Sequence, residues 1–266
     1  MYTKEQLLSQ LNTFKSAVGK PVLVHSSLRS AGPVEGGGDT ILDALTQFFT
    51  RNNGLLCVPT HTWAWDTLDL RKAESCIGTL PRLAAARKDG IRSLNPTHSM
   101  MVFGDGAKEF ISCELSASSP IGPDSCYGKL YEEDGYVLLL GVGHDSNTYL
   151  HCVEDMLGVP GRMTQEKVAR YIIDRDGNKH TRYIHWFDDS KIEDPSLYFG
   201  KYEPAFRHHG AVCDGKLGDA PVQLCSARKM YEVMALVRRR THGAELLSDH
   251  TPLPTSSYER RKGETL

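Results

Sequence analysis

The chain has 266 residues, 40% hydrophobic and 24% charged, an ordinary globular composition that argues against disorder along its length. Its 31 basic and 33 acidic side chains leave a formal charge of -2, without the basic excess that a nucleic-acid binder sets against phosphates. No apolar run approaches the roughly 20 residues that span a bilayer, and the start Met1-Tyr2-Thr3-Lys4-Glu5-Gln6 reads as a helix rather than a signal peptide, so a cytoplasmic protein is expected.

In chain order, Leu7, Leu8, Leu11, Phe14 and Val18 recur at helical spacing over residues 4–18, closed by Gly19. Pro21 to His25 is a short apolar run before a polar turn, the pattern of a buried strand. A glycine-rich loop, Gly32 to Gly38, precedes a helix to about Thr50 that Asp39 or Thr40 is expected to cap. Gly54 to Pro59 reads as a second buried strand, Thr79 to Ala86 as a helix, Met100 to Phe103 as a strand, and Ala107 to Cys113 as a helix. A helix from Tyr127 to Glu133 leads into Tyr136 to Val142, the most strongly apolar segment and hence a central strand. Asn147 is expected to cap a helix to Leu157. Beyond residue 160 the pattern changes. Val168–Ile173 and His180–Phe187 flank Asp176-Gly177, a hairpin signal, and Ser226 to Arg239 reads as an amphipathic helix. The polar stretch from Gly243 is expected to fray.

Strands alternating with helices give the expected class: α/β, a layered sheet with parallel pairs and flanking helices, plus a C-terminal hairpin-containing subdomain. The expected divisions are a core over 1–160, a second lobe over 161–242 and a tail over 243–266. Seven cysteines (57, 76, 113, 126, 152, 213 and 225) are scattered without a C-x-x-C pair and read as reduced structural thiols. Eleven histidines raise the question of a metal. His208 and His209 are neighbours that point apart, no His-x-His or His-Glu-x-x-His motif occurs, and no metal site is expected.

Four segments carry chemistry-bearing side chains. His25-Ser26-Ser27-Leu28-Arg29-Ser30 follows the first strand, where ligands of open α/β sheets bind, and Gly36-Gly37-Gly38 precedes a helix N-terminus. The same residues also read as a tight turn and cap. Arg92 to Ser99 precedes a strand, and His98 there is either catalytic or a hydrogen-bonding loop residue. Gly143 to Glu154 follows the most buried strand. His151 and Glu154, three apart, share one helix face, an imidazole beside a carboxylate as general base catalysis requires, although a surface ion pair has the same spacing. His185-Trp186-Phe187-Asp188-Asp189-Ser190 places two carboxylates at a strand end, where they orient His151, bind a cation or simply cap the next element. Cys152 diverges from His151 by roughly 100° around the helix and cannot pair with it, and no Gly-x-Ser-x-Gly elbow occurs.

Several of these segments resemble, in order, the aminoglycoside 3-N-acetyltransferase family: His25-Ser-Ser-Leu-Arg-Ser-Ala-Gly32, Val58-Pro-Thr-His-Thr-Trp63, Gly78-x-Leu80 with Arg92-Ser-Leu-Asn-Pro-Thr-His-Ser99, and Gly122-Pro-Asp-Ser-Cys-Tyr-Gly-Lys-Leu130. The most specific match is Leu139-Leu-Gly-Val-Gly-x-Asp-Ser-Asn-Thr-x-x-His151-x-x-Glu154. The resemblance spans residues 20–160, with a weaker trace near Gly218 and Leu224 to Tyr231. It implies acetyl transfer from acetyl-CoA to the 3-amino group of an aminoglycoside-type substrate, with His151 as base and Glu154 as its companion. It also implies that Ser27, Leu28, Arg29, Ser30, His98 and Ser99 line the CoA tunnel.

Family members often carry an acidic residue after the second hairpin strand. His185, Phe187 or Asp189 falls there, and Asp189 is the acidic candidate. The divergent segment Ala64 to Ile77 leaves the substrate pocket open. Among the acids that would draw a cationic substrate, Asp66, Glu154 and Asp188 are the candidates, while Asp69 and Glu74 read as solvated charge. A small-molecule amine is the expected partner, with neither nucleic acid nor membrane, and a homodimer is an allowed assembly. Two alternatives stay open at this point: a CoA-dependent acyltransferase acting on another amine or a hydroxyl, and a CoA-binding homologue without catalysis.

Overall fold

The computed structural model describes residues 1–63, 66–188, 194–243 and 250–259. Ten strands and eight α-helices are assigned among them. The strands are β1 (Pro21–Ser26), β2 (Leu55–Pro59), β3 (Thr67–Asp69), β4 (Ile91–Arg92), β5 (Met100–Phe103), β6 (Tyr136–Leu140), β7 (Met163–Ile173), β8 (Lys179–Phe187), β9 (Val212–Leu217) and β10 (Ala220–Ser226). The helices are α1 (Lys4–Leu11), α2 (Gly37–Phe49), α3 (Thr79–Ala86), α4 (Ala107–Ile111), α5 (Cys126–Glu132), α6 (Tyr149–Met156), α7 (Glu203–His208) and α8 (Ala227–Thr241).

Seven strands form one mixed sheet in the order β4-β5-β2-β1-β6-β10-β9. β1 runs parallel to both β2 and β6, whereas β5 and β10 join antiparallel. Successive side chains of a strand point to opposite faces, and here both faces are covered. Val22, Val24, Leu56, Val58, Leu138 and Leu140 pack beneath α1, α2 and α3. Leu23, Cys57, Val137 and Leu139 pack on the other face among buried residues of α4 to α8. Two-sided burial is why these strands are continuously apolar. Each fully buried leucine or valine contributes about 1.5–3 kcal/mol, so the four closing residues of β6 alone anchor the centre of the sheet.

The layered α/β class with parallel pairs and flanking helices is therefore what the chain adopts, but the boundary expected near residue 160 does not divide the sheet. β10 returns to pair with β6 in register from Val222–Leu140 to Ser226–Tyr136, and Met230, Val233, Met234 and Val237 of α8 enter the same core as α5 and α6. Only β7 and β8, with β3, form a separate three-stranded sheet. The β9–β10 hairpin is marked in the sequence only by its Gly218-Asp219 turn, because β9 is a half-exposed, polar strand at the sheet's edge.

Helix α2 is not capped by Asp39 or Thr40. Its N-cap is Gly36, at φ 73, and Asp39 lies within the first turn. Glycine tolerates that left-handed conformation, and a Cβ there would collide with Thr40 Oγ1. Within the stretch expected to fray, residues 250–259 are docked. Leu253, Ser257 and Tyr258 are buried, and His209 Nε2 donates to the Tyr258 carbonyl at 2.6 Å. Among the described residues, no helix is long and apolar enough to cross a membrane.

Candidate active site

The carboxyl ends of β1, β2 and β6 open on one side of the sheet, and the segments leaving them wall a cleft of about 780 Å³. That volume lies within the range of small-molecule sites. His25 and Ser26 come from the end of β1, His61 and Trp63 from the segment after β2, and Asp145, Ser146 and Thr148 from the turn after β6. His98 enters from the turn before β5, His151 and Glu154 from α6, and Phe187 and Asp188 from the end of β8.

His151 and Glu154 meet as their i, i+3 spacing requires, with Nδ1 and Oε2 3.3 Å apart. The imidazole is one-fifth exposed and the carboxylate buried. A carboxylate only accepts, so Nδ1 carries the proton and the neutral ring keeps its lone pair on Nε2. Arg162 Nε donates to Glu154 Oε1 at 2.9 Å, which balances the buried charge. Phe199 packs edge-on against the His151 ring at 4.9 Å, and Phe187 lies at 6.5 Å. Arg162 comes after Pro160-Gly161 with no motif around it, so nothing in the sequence marks it.

Asn147 does not cap α6. Thr148 occupies the N-cap without a side-chain cap bond, because a 3-10 turn at His144–Ser146 comes first and rotates Asn147 inward. There its side-chain amide donates to His144 Nδ1 at 3.1 Å and contacts Met230 Sδ. Buried, this amide fixes the turn that carries Asp145, Ser146 and Thr148.

The other expected residues divide. His98, Glu154 and Asp188 line the cleft; the Asp188 amide donates to the Arg162 carbonyl at 2.9 Å. Asp189 lies outside the described residues. His185 turns away, its Nδ1 on the Thr164 carbonyl at 2.9 Å and its amide on Ser118. Asp66 is exposed and absent from the cleft wall. Ser99 is fully buried and committed, receiving Arg92 Nε at 3.0 Å and donating to the Thr60 carbonyl at 2.9 Å, so its side chain cannot reach a cofactor.

Ser27, Leu28, Arg29 and Ser30 continue from the lining residue Ser26 but do not themselves wall the cleft. The Ser27 amide donates to Leu140, and the Ser30 hydroxyl donates to the Ser27 carbonyl at 2.6 Å. This turn rests on Gly141, at φ 64, where a Cβ would collide with Ser30 Oγ. Leu28 packs on the core under α2, and Arg29 is exposed.

Three further histidines share the cleft. His61 and His98 lie 4.4 Å apart, with Trp63 6.1 and 5.8 Å from them, and His61 Nε2 bonds the Tyr127 hydroxyl at 3.0 Å. His25 is buried, and its Nε2 has no hydrogen-bond partner among the described residues. Burial pushes His25 and His98 down to about 3, with His151 adding to the effect at His98. Burial, together with His98, His25 and His151, drives His61 well below the histidine range. These rings are neutral in the fold but take up protons near pH 6.5 once unfolded. The unfolded chain thus binds more protons below that pH, and stability is lost as pH falls from about 6.5 toward about 3. Each ring contributes at most about 1.4 kcal/mol per pH unit. Urea midpoints are expected to fall progressively between about pH 7 and about pH 5; a level midpoint would contradict the buried neutral state. Among the described residues, no three His, Cys, Asp or Glu side chains are grouped to hold a metal ion.

Comparison with known proteins places this geometry among enzymes. The sequence model described as aminoglycoside 3-N-acetyltransferase matches residues 23–237. The aminoglycoside N(3)-acetyltransferase IV of Salmonella sp is 34% identical over 165 residues, which span 60% of this chain and 61% of that protein. A crystal structure of aminoglycoside acetyltransferase AAC(3)-IVa, a histidine-to-alanine mutant in complex with apramycin, superposes with a TM-score of 0.73 at 26% identity, covering 92% of this chain and 94% of that one. AAC-IIIb in binary complex with CoASH gives a TM-score of 0.73 at 25% identity, covering 90% and 97%.

Proposed function

The chain belongs to the aminoglycoside 3-N-acetyltransferase family, and from that premise we propose that it moves the acetyl group of acetyl-CoA to the 3-amino group of an aminoglycoside-type substrate, with His151 as general base. The observation that supports this reading is the His151–Glu154–Arg162 chain at the cleft. A bound ammonium must lose a proton before its nitrogen can attack a thioester. His151 Nε2 accepts that proton, and Glu154 on Nδ1 holds the tautomer and steadies the imidazolium that forms. The proton then passes to the departing thiolate.

Donor and acceptor are assigned to opposite sides of this histidine. CoA is placed along the lip of β1, from His25 through Ser27, Leu28, Arg29 and Ser30, with His98 at its acyl end. The buried His25 Nε2, without a partner among the described residues, suits a hydrogen-bonding group of that chain. The cationic acceptor is placed toward Asp145, Asp188 and Asp194, three carboxylates that line the cleft. Asp189 is kept as a candidate for orienting His151.

The test is release of CoA thiol from acetyl-CoA with a panel of aminoglycosides, simple primary amines and alcohols. Release with aminoglycosides, and acetylation at the 3-amino group seen by mass spectrometry and NMR, is the expected result. Release with simple amines or alcohols alone would move the substrate class, and CoA binding without turnover on any acceptor would overturn the reading.

A further inference from the structure

We propose that His98 is a second catalytic residue, one that donates its Nε2–H to the acyl carbonyl oxygen of the thioester. The inference rests on the acetyl-transfer reading above and adds a role that the base does not fill.

The tautomer of His98 is set by its partners. Its Nδ1 lies 2.9 Å from the Thr97 hydroxyl. Thr97 is buried, and that ring nitrogen is the one partner its hydroxyl has among the described residues. If Nδ1 carried the proton, the Thr97 hydroxyl would accept and its own hydrogen would be buried without an acceptor, at about 1–3 kcal/mol. The hydroxyl therefore donates to Nδ1, and Nε2 bears the hydrogen. No described residue bonds Nε2, and the ring lines the cleft.

The ring is also held still. The His98 amide donates to Asn95 Oδ1 at 2.8 Å, and its carbonyl receives the Tyr127 hydroxyl at 3.2 Å. His61 lies against one side at 4.4 Å and Phe187 against another at 4.9 Å. Phe187 packs on His151 as well, so the two imidazoles share one wall. Burial keeps His98 neutral, which suits a hydrogen-bond donor and disfavours a second base.

The chemistry assigns the two rings opposite tasks. The amine nitrogen attacks the acyl carbon, a C–N bond forms, and the carbonyl π pair moves onto oxygen, where the His98 N–H meets the growing negative charge. The pair returns as the C–S bond breaks, the proton that His151 took from the ammonium passes to the thiolate, and the nitrogen's remaining extra proton leaves to solvent. Products are the amide and CoA thiol, with His98 unchanged. A donor aimed instead at the amine would occupy the lone pair that must attack.

Steady-state kinetics with an acceptor that the wild type turns over test this. His98→Ala is expected to lower kcat by about 100- to 1000-fold, as loss of one oxyanion donor does, with both KM values changed less than about threefold. His98→Gln, which retains an N–H donor, is expected to recover at least about tenfold of that loss. Thr97→Val leaves the ring but frees its tautomer, and should lower kcat by about tenfold, with rescue by Thr97→Ser. The threonine pair decides the matter even if His98→Ala does not fold. Wild-type kcat in Thr97→Val, a glutamine variant no better than alanine, or a rise in the acetyl-CoA KM with kcat intact would overturn the proposal. Failure of the wild type to release thiol with any acceptor would overturn the acetyl-transfer reading and this one with it, whereas turnover by wild type and His98→Ala alike removes this one alone.

Discussion

Replacement of His151 by alanine is expected to lower turnover by about a hundred- to ten-thousand-fold, the usual contribution of a general base. Acetyl-CoA affinity should stay nearly intact, because the proposed donor site lies along the β1 lip rather than at this ring. The fold should also survive, since the side chain is one-fifth exposed and leaves an opening to the cleft rather than a sealed void. Glu154→Gln should cost less than His151→Ala. It removes the charge that steadies the imidazolium and leaves Arg162 without its carboxylate partner. Thiol-release rates measured beside acetyl-CoA titrations separate these effects, and a His151→Ala enzyme as fast as the wild type would refute the assignment.

The largest stability effect is expected at Arg182, on β8, where the guanidinium and the Glu114 carboxylate are both fully buried and 3.4 Å apart. Arg182 also donates to the carbonyls of Ala117 at 3.1 Å and Leu94 at 3.4 Å, and Glu114 receives the Asn95 amide at 2.6 Å and the Cys126 amide at 3.3 Å. Burial lowers the Arg182 pKa despite the carboxylate, so desolvation is the stronger influence on this cation. Arg182→Ala would leave Glu114 buried without its counter-ion, and removing one partner of such a pair typically costs about 3–5 kcal/mol. Urea unfolding should show that loss, and the double variant Arg182→Met with Glu114→Gln should cost less than the single alanine variant, because no uncompensated charge remains. A single-variant loss below about 1 kcal/mol would mean that the pair is not buried as described. The pair ties the three-stranded sheet to the main body, so the weakened variant should also raise the acceptor KM through Phe187 and Asp188 at the end of β8.

Where a signal is local, it is legible in the sequence. The central strands can be read because burial on both faces leaves a continuous apolar run, and β6 is the clearest for that reason. Helix α3 appears at its observed bounds, and the β7–β8 hairpin is marked by Asp176-Gly177, although the observed strands are longer. Capping misleads twice. Asp39 and Asn147 are good cap residues by type, but a left-handed Gly36 starts the first helix three residues early and a preceding 3-10 turn starts the second one residue late.

Within the cleft, the composition and i, i+3 spacing of one helix turn determined the meeting of His151 with Glu154, since helix geometry alone brings those positions together. Tertiary structure decided what surrounds them. Arg162 reaches Glu154 from a loop eight residues on, Phe187 arrives from a separate sheet, and His25 from the end of β1 meets His61 and His98 from two different connections. It also buried the Ser99 side chain, a residue that the family resemblance placed along the CoA tunnel. Spacing along a chain specifies neighbours only within an element. Between elements, adjacency depends on how the sheet orders its strands and which loops fold over their ends, and no local pattern of residue types encodes that.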